Sequence, residues 1–470
     1  MFRLTRQVLF TLLLIVMADN ARGFALLGLP DTWQTTELGY NSLGTDIGGP
    51  MSLGEEYRWN TPTIVYAFDE SFLNYFGSNG VIEVEKAIKI LNGVPAVSRM
   101  SSDLHEFPTD SKRVNFEAQA LGLLDLKSMA LTLLVEELGL AEPERYTWTL
   151  RDRKVFSNPD QTNYLVITRN YDPVTFEPTP YVNGTLYTYQ VFEPIKPGDY
   201  SEAVEIVVDP LAFSFTSVAS GYRYLQGGEF FTGLTRDDVG GLRYLLRPDN
   251  YNVENLPTNT VVSASNNNST WSPALGSLLL GLTNGTGSST IGLTNGTGSS
   301  TNLAPALRPG VDRCRFVRGR YDSLLGQGFF PMTNKFTDTI VTNSAKVRRT
   351  ASRLILQPDI LFTAEDLGTF ANSVQPILVK RSVGFVNNDP LNGHTTQAGP
   401  GVIEGPITIS FTTLLPFLIN NVNAFFLPTQ ENAFFNSVQA WGSFDGTTNT
   451  PVVYPNGTDI KNLERQVLKR

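Results

Sequence analysis

The chain predicts an α+β N-terminal domain over residues 24–250, a flexible linker over 251–304 and a mainly-β C-terminal domain of the β-sandwich type over 305–470. Three observations carry the prediction. Apolar runs at helical spacing alternate with strand-like runs in the first half. A polar, small-residue stretch with an internal duplication then interrupts the chain. Beyond it, short β-type runs are separated by turn residues. Composition points the same way, because 40 Gly and 28 Pro against a charged fraction of 17% favour β-rich, loop-rich domains over helical bundles.

Residues 1–23 read as a signal peptide. Arg3 and Arg6 precede the apolar run Val8–Ala18, and Ala21-Arg22-Gly23 offers a small-x-small cleavage site, so the mature chain is expected to begin near Phe24 or Leu26. The run is shorter than the ~20 residues a membrane span needs. The later apolar stretch Thr412–Leu427 is interrupted by Pro416 and Asn420-Asn421. The expected location is therefore secreted, periplasmic or extracellular, with no transmembrane segment in the mature chain. A net charge of −9 argues against nucleic acid as a partner. Cys314 is the only cysteine, which excludes a disulfide framework and reads as a buried, inert thiol.

In the first domain, Thr63–Phe68 alternates as a strand, with Ile64, Tyr66 and Phe68 on one face. Val81, Val84, Ile88 and Leu91 recur at helical spacing, and Asn92-Gly93 ends that helix. Leu123–Leu140 reads as a second, richer helix whose Asp125, Ser128, Thr132 and Glu136 form one solvated stripe. Strand-like runs follow at Tyr164–Arg169, Leu186–Phe192 and Val204–Val208, with Asn183-Gly184 as a type I′ hairpin turn. Thr235-x-x-Asp238 opens a third helix with a capping-box pattern. In the linker, ten residues from Gly281 recur from Gly292, and such small polar sequence has little apolar surface to bury against its chain entropy. The last domain carries β-type runs at Arg315–Val317, Thr339–Thr342, Ile377–Val379, Ile407–Phe411, Val438–Trp441 and Val452–Tyr454, and one short helix opened by Thr363-Ala-Glu-Asp366.

Three places in the first domain, in order, resemble a matrixin, the zinc-dependent peptidase family of the metzincin type. Tyr57–Tyr66 followed by the helix at 81–91 looks like the first strand and helix of the catalytic domain. Leu234-Thr-Arg-Asp-Asp238-Val is similar to the opening of the last matrixin helix. Between them, Thr132-Leu-Leu-Val-Glu136-Glu-Leu-Gly139-Leu-Ala-Glu142 overlays H-E-x-x-H-x-x-G-x-x-H, and Leu138-Gly139-Leu140 fits the Leu-Gly-Leu common there. The resemblance covers about half of the domain and implies a degenerate, zincin-like fold. Residues 143–230 do not fit it. An unrelated α+β domain with a buried Leu-rich helix stands beside it as the other reading.

The family's chemistry needs three histidines and a general base. The chain has two histidines in all, His105 and His394, in loop-like sequence. Thr132, Glu136 and Glu142 stand at the ligand positions, and Leu133 stands at the base position. Glu136 and Glu142 are the candidate catalytic or metal-holding residues, for Ca²⁺ as a hard cation or for the Zn²⁺ that the resemblance implies. Other adjacent carboxylates occur at Asp69-Glu70 and Asp237-Asp238; adjacency alone does not make a glycosidase pair, and Asp237-Asp238 reads as first-turn acids favoured by the helix dipole. The basic groups Arg313, Arg315, Arg318, Arg320 and Lys346, Arg348, Arg349, Arg353 read as solvated strand faces, with an anionic glycan or acidic partner as the alternative. Asn183, Asn267, Asn268, Asn284, Asn295 and Asn456 lie in N-x-S/T sequons. The expected function is an exported, non-catalytic binding or structural protein of the envelope or extracellular space, a pseudoenzyme if the resemblance holds, with a protein or glycan partner. The alternative is a divergent metal-dependent peptidase or a carboxylate-based hydrolase working around Glu136.

Overall fold

The computed structural model describes residues 22–40, 48–157, 160–193, 201–211, 216–263, 299–300, 305–322, 328–342, 345–365, 379–396, 398–412, 440–455 and 461. Residues 1–21 of the expected signal peptide, the duplicated repeat, the Thr412–Leu427 run beyond Thr412, and the sequons at Asn267, Asn268, Asn284, Asn295 and Asn456 lie outside the described residues, whereas Arg22 and Gly23 of that expected peptide are described and packed against Asp103 and Asp237. Among the described residues no helix is long and apolar enough to cross a membrane.

The architecture is mixed α and β, centred on a five-stranded sheet. Its strands are β1 (Thr63–Phe68), β2 (Arg315–Arg318), β3 (Ile360–Glu365), β4 (Val379–Arg381) and β5 (Ile407–Thr412). Their spatial order is β2-β1-β3-β5-β4, all parallel except β4. Register pairs Arg315 with Thr63, Phe362 with Phe68 and Ile360 with Ile407. Ile64, Val65, Ile360, Phe362, Ile407 and Ile409 are all buried, as a parallel sheet covered on both faces requires.

Helix α1 (Glu70–Gly93) lies against this sheet, capped by the Asp69 carboxylate, which accepts from Phe72 N–H at 2.9 Å. The expected helix at 81–91 is its second part. A bend at Gly77 separates it from a first part that places Phe72 and Phe76 in the core. Phe68, Phe72, Phe76, Phe362, Phe411, Trp441 and Tyr454 form one aromatic cluster. Phe68 and Phe362 stack at 5.2 Å, and Phe411 meets Trp441 edge-on at 5.3 Å.

These pairings run across the expected boundary between 250 and 305. The described strands of 305–455 do not close a sandwich of their own. They complete sheets begun in the first half: Arg315–Arg318 and Ile360–Glu365 flank β1, Gly401–Glu404 pairs with Tyr57–Arg58, and Ala440–Ser443 pairs with Leu123–Asp125. The physical reason is burial. β1 has two apolar faces and two edges, and among the described residues the strands that cover both edges come from the second half. The first residues of the expected linker are also sheet, since Tyr251–Glu254 pairs with Ala306–Pro309 and Thr260–Ser263 pairs with Ala345–Ile355. A buried ionic ladder reinforces this join. The Arg58 guanidinium, fully buried, donates to Glu254 at 2.8 Å, and Arg308 donates to Asp338 at 2.9 Å.

Two further expectations are corrected. Thr363-Ala-Glu does not open a helix, because Ile360–Glu365 is the central strand β3, and the Thr363 and Ser410 hydroxyls share a hydrogen bond at 2.5 Å. The rich helix spans Leu126–Glu137 rather than 123–140, because Leu123–Asp125 is drawn into a strand beside Ala440–Ser443.

Candidate functional site

Thr132, Leu133 and Glu136 lie on helix α2 (Leu126–Glu137), and Glu142 follows the turn after it. Asp125 caps the helix and accepts from Ser128 N–H at 3.0 Å. Gly139 ends it with φ +110, and a Cβ there would lie 2.5 Å from the Tyr57 carbonyl oxygen. Only glycine fits this turn, which swings the chain into the short strand Leu140–Ala141 and on to Glu142.

The expected solvated stripe is dry. Asp125, Ser128 and Thr132 are fully buried and Glu136 is 2% exposed. Ser128, Thr132 and Glu136 each meet another element. Ser128 Oγ accepts from Phe231 N–H at 2.8 Å. The backbone of α3 (Gly221–Tyr224) presses on Thr132 so closely that a Cβ at Gly221 would fall 2.2 Å from its Oγ1. Glu136 binds Arg381 of β4 at 2.9 Å, and the Arg381 guanidinium lies over the Tyr222 ring at 4.3 Å. Glu142 faces Arg223 at 3.7 Å. Leu133, at the base position, is fully buried in the core.

Glu137 lies beside this pair, fully buried, with neither carboxyl oxygen in a hydrogen bond among the described residues. Burial holds its pKa well above the carboxylate range. Arg381 offsets part of that shift, and the Glu136 charge adds to it. The arrangement places one buried cation beside two buried carboxyl groups, Glu136 and Glu137.

A second set of buried carboxylates holds the segment that leads into α3. Glu144 accepts from Ser217 N–H at 2.8 Å and from the Ser217 and Ser220 hydroxyls. Asp238 accepts from Val218 N–H at 3.1 Å and Ala219 N–H at 3.0 Å. It also completes the expected capping box with Thr235 at the start of α4 (Arg236–Leu246). Asp237 accepts from Gly23 N–H at 2.8 Å and Asn183 N–H at 2.6 Å. Both aspartates are fully buried, so they do more than face the helix dipole: they tie the start of α4 to segments at 23, 183 and 218. Burial pushes Glu144 up to about 7.

Chemically, Thr132, Glu136 and Glu142 do not fit a zinc centre. Thr132 is pressed by backbone, both glutamates face guanidinium groups, and Leu133 has no proton to exchange. The same guanidinium partners compete with any Ca²⁺ for the two carboxylates. Among the described residues no group of three or more His, Cys, Asp or Glu side chains is placed to hold a metal.

The remaining candidates lie apart from this site. His105 is exposed, with Nδ1 2.8 Å from Asp103 Oδ1, a contact that raises its pKa. His394 is exposed and lies 3.9 Å from Asp389. The Cys314 thiol is buried and pushed up to about 12. Asp69 of the Asp69-Glu70 pair is the α1 cap already described. Within the basic groups, Arg318 pairs with Glu85, Arg349 with Asp338 and Arg353 with Asp359. Asn183 is 1% exposed and its side chain donates to Thr235, so its sequon is closed in the folded protein. Arg381, Tyr222, Arg223 and Glu144 were missed by sequence reasoning, and no local pattern marks them. Comparison with protein families, with curated proteins and with solved structures finds no match.

Proposed function

We propose that this is an exported, non-catalytic binding or structural protein of the cell envelope or extracellular space, built on a matrixin-like frame in which Arg381 stands where a catalytic metal would. The observation that carries the reading is the Glu136–Arg381 pair at 2.9 Å, with the two side chains 2% and 6% exposed. A carboxylate held by a buried guanidinium is neither an open metal ligand nor a base within reach of a substrate. Glu142 opposite Arg223 repeats the pattern at the next ligand position.

A binding role draws further support from the region that departs from the matrixin pattern. The hairpins Thr149–Ile167 and Thr185–Val207 leave Val155, Phe156, Leu165, Phe192 and Ile206 exposed. These exposed apolar side chains offer contact points for a protein or glycan partner. The deciding experiment is elemental analysis of the dialysed protein together with a peptide-hydrolysis assay on wild type and Glu136→Gln. The reading expects substoichiometric zinc and calcium and no activity that depends on Glu136. Stoichiometric metal, or hydrolysis abolished by Glu136→Gln, would overturn it.

A further inference from the structure

A recess of about 130 Å³ lies at the edge of the central sheet, away from α2. It is bounded by the turn at 257–259, the segment from Arg353 to Asp359, and Glu404. We propose that this recess binds an alkylammonium group, carried either by a small free amine or by a lysine side chain. The proposal is independent of the reading of the Glu136 site.

Charge selects the ligand class. Arg353 donates to both oxygens of Asp359, at 3.1 and 2.5 Å, and Asp359 also accepts from Val65 N–H at 2.8 Å. That pair is mutually neutralised. Glu404, on the same recess, has no hydrogen-bond or ion-pair partner among the described residues. It is half-buried, and the cost of desolvation raises its pKa, partly offset by Arg353 and reinforced by Asp359. Glu404 is therefore the carboxyl group on the recess that lacks a direct ion-pair partner among the described residues, with Arg353 acting on it only through space. A cationic donor satisfies such a group, whereas an anion or a neutral molecule does not.

Shape narrows the class further. Leu354 and Leu356 form the lip and are 44% and 53% exposed, so an aliphatic stem has apolar surface to cover. The volume is close to that of cavities of about 150 Å³ that admit a benzene ring, which matches an ammonium with about four methylenes. The walls are preformed by backbone hydrogen bonds. Leu354 N–H donates to Asn259, Asp359 N–H to Val65, and Ile407 N–H to Asp359, at 2.9, 2.7 and 2.8 Å. Binding then requires little reordering of the chain.

The test is a titration of the full chain, at low salt, with n-butylamine, cadaverine, N-acetyl-lysine methylamide, its norleucine analogue and n-butanol, followed by calorimetry or NMR. The expected result is saturable binding of the ammonium compounds within about 10 mM and none of butanol or the norleucine analogue. Glu404→Gln, which keeps the shape, should weaken binding by about tenfold or more with an unchanged urea midpoint. Leu356→Ser should weaken the longer stems and leave ammonium itself unaffected. Tighter binding of the capped lysine than of butylamine assigns the source to a polypeptide. The reverse assigns it to a free amine. Absence of saturable binding, or equal binding to Glu404→Gln, overturns the proposal.

Discussion

Replacing Arg381 by Met leaves Glu136 in the core without its cation. The side chain is 2% exposed and its partner 6% exposed, so solvent replaces little of what is lost. With charge centres about 4 Å apart and an effective dielectric of about 20, the lost attraction is about 4 kcal/mol. The variant limits the damage by protonating Glu136. Relative to an ordinary glutamate, that costs about 3–4 kcal/mol at pH 7 and about 1 kcal/mol at pH 5. The expected loss at neutral pH is therefore about 3–4 kcal/mol, within the range for breaking a buried pair from one side. The sign with pH follows. Glu136 in the variant has a folded pKa above its unfolded one, so the folded state keeps its proton longer and the variant loses stability as pH rises from about 4.5. Urea denaturation of wild type, Arg381→Met and the double variant Arg381→Met/Glu136→Gln at pH 5 and pH 7 reads this directly. The double variant should recover most of the loss, because it removes both charges together. A single variant within about 0.5 kcal/mol of wild type at pH 7, or a double variant no better than the single, would refute the argument that this pair is dry and mutually dependent.

Glu144, pushed up to about 7 by burial, holds a proton in the fold that the unfolded chain releases near pH 4.5, so stability should fall by about 3 kcal/mol between pH 4.5 and 7. Thermal melts across that range should show the slope, and Glu144→Gln should flatten it. Gly139→Ala places a Cβ 2.5 Å from the Tyr57 oxygen at φ +110 and should cost at least about 1–3 kcal/mol, read by the urea midpoint. After secretion from a glycosylating host, peptide mapping should find Asn183 unmodified in the folded fraction. A glycan on Asn183 in correctly folded protein would show that the 183–185 turn opens.

Much of the local structure was legible. The strand Thr63–Phe68, the capping box of Thr235 and Asp238, and the Asn183-Gly184 turn, with φ of 45 and 86, follow from residues within four positions of one another. The surroundings of the motif were not legible. The polar stripe Asp125, Ser128, Thr132, Glu136 has the spacing of a solvated face, yet its partners arrive from Phe231, Gly221 and Arg381. Periodicity counts polar positions but cannot say whether water or a distant side chain meets them.

What the sequence determined by itself is a part of the local elements and the residue types Thr132, Leu133, Glu136 and Glu142 at positions that resemble a zinc motif without its ligands. These depend on residue type and short-range spacing alone. The tertiary structure decided that strands at 315–318, 360–365, 379–381 and 407–412 complete the sheet begun at Thr63, and that a guanidinium from the edge strand pairs with Glu136. Those outcomes are set by burial: a two-faced strand and an interior carboxylate each need a partner, and the partner's position along the chain leaves no trace in the local pattern.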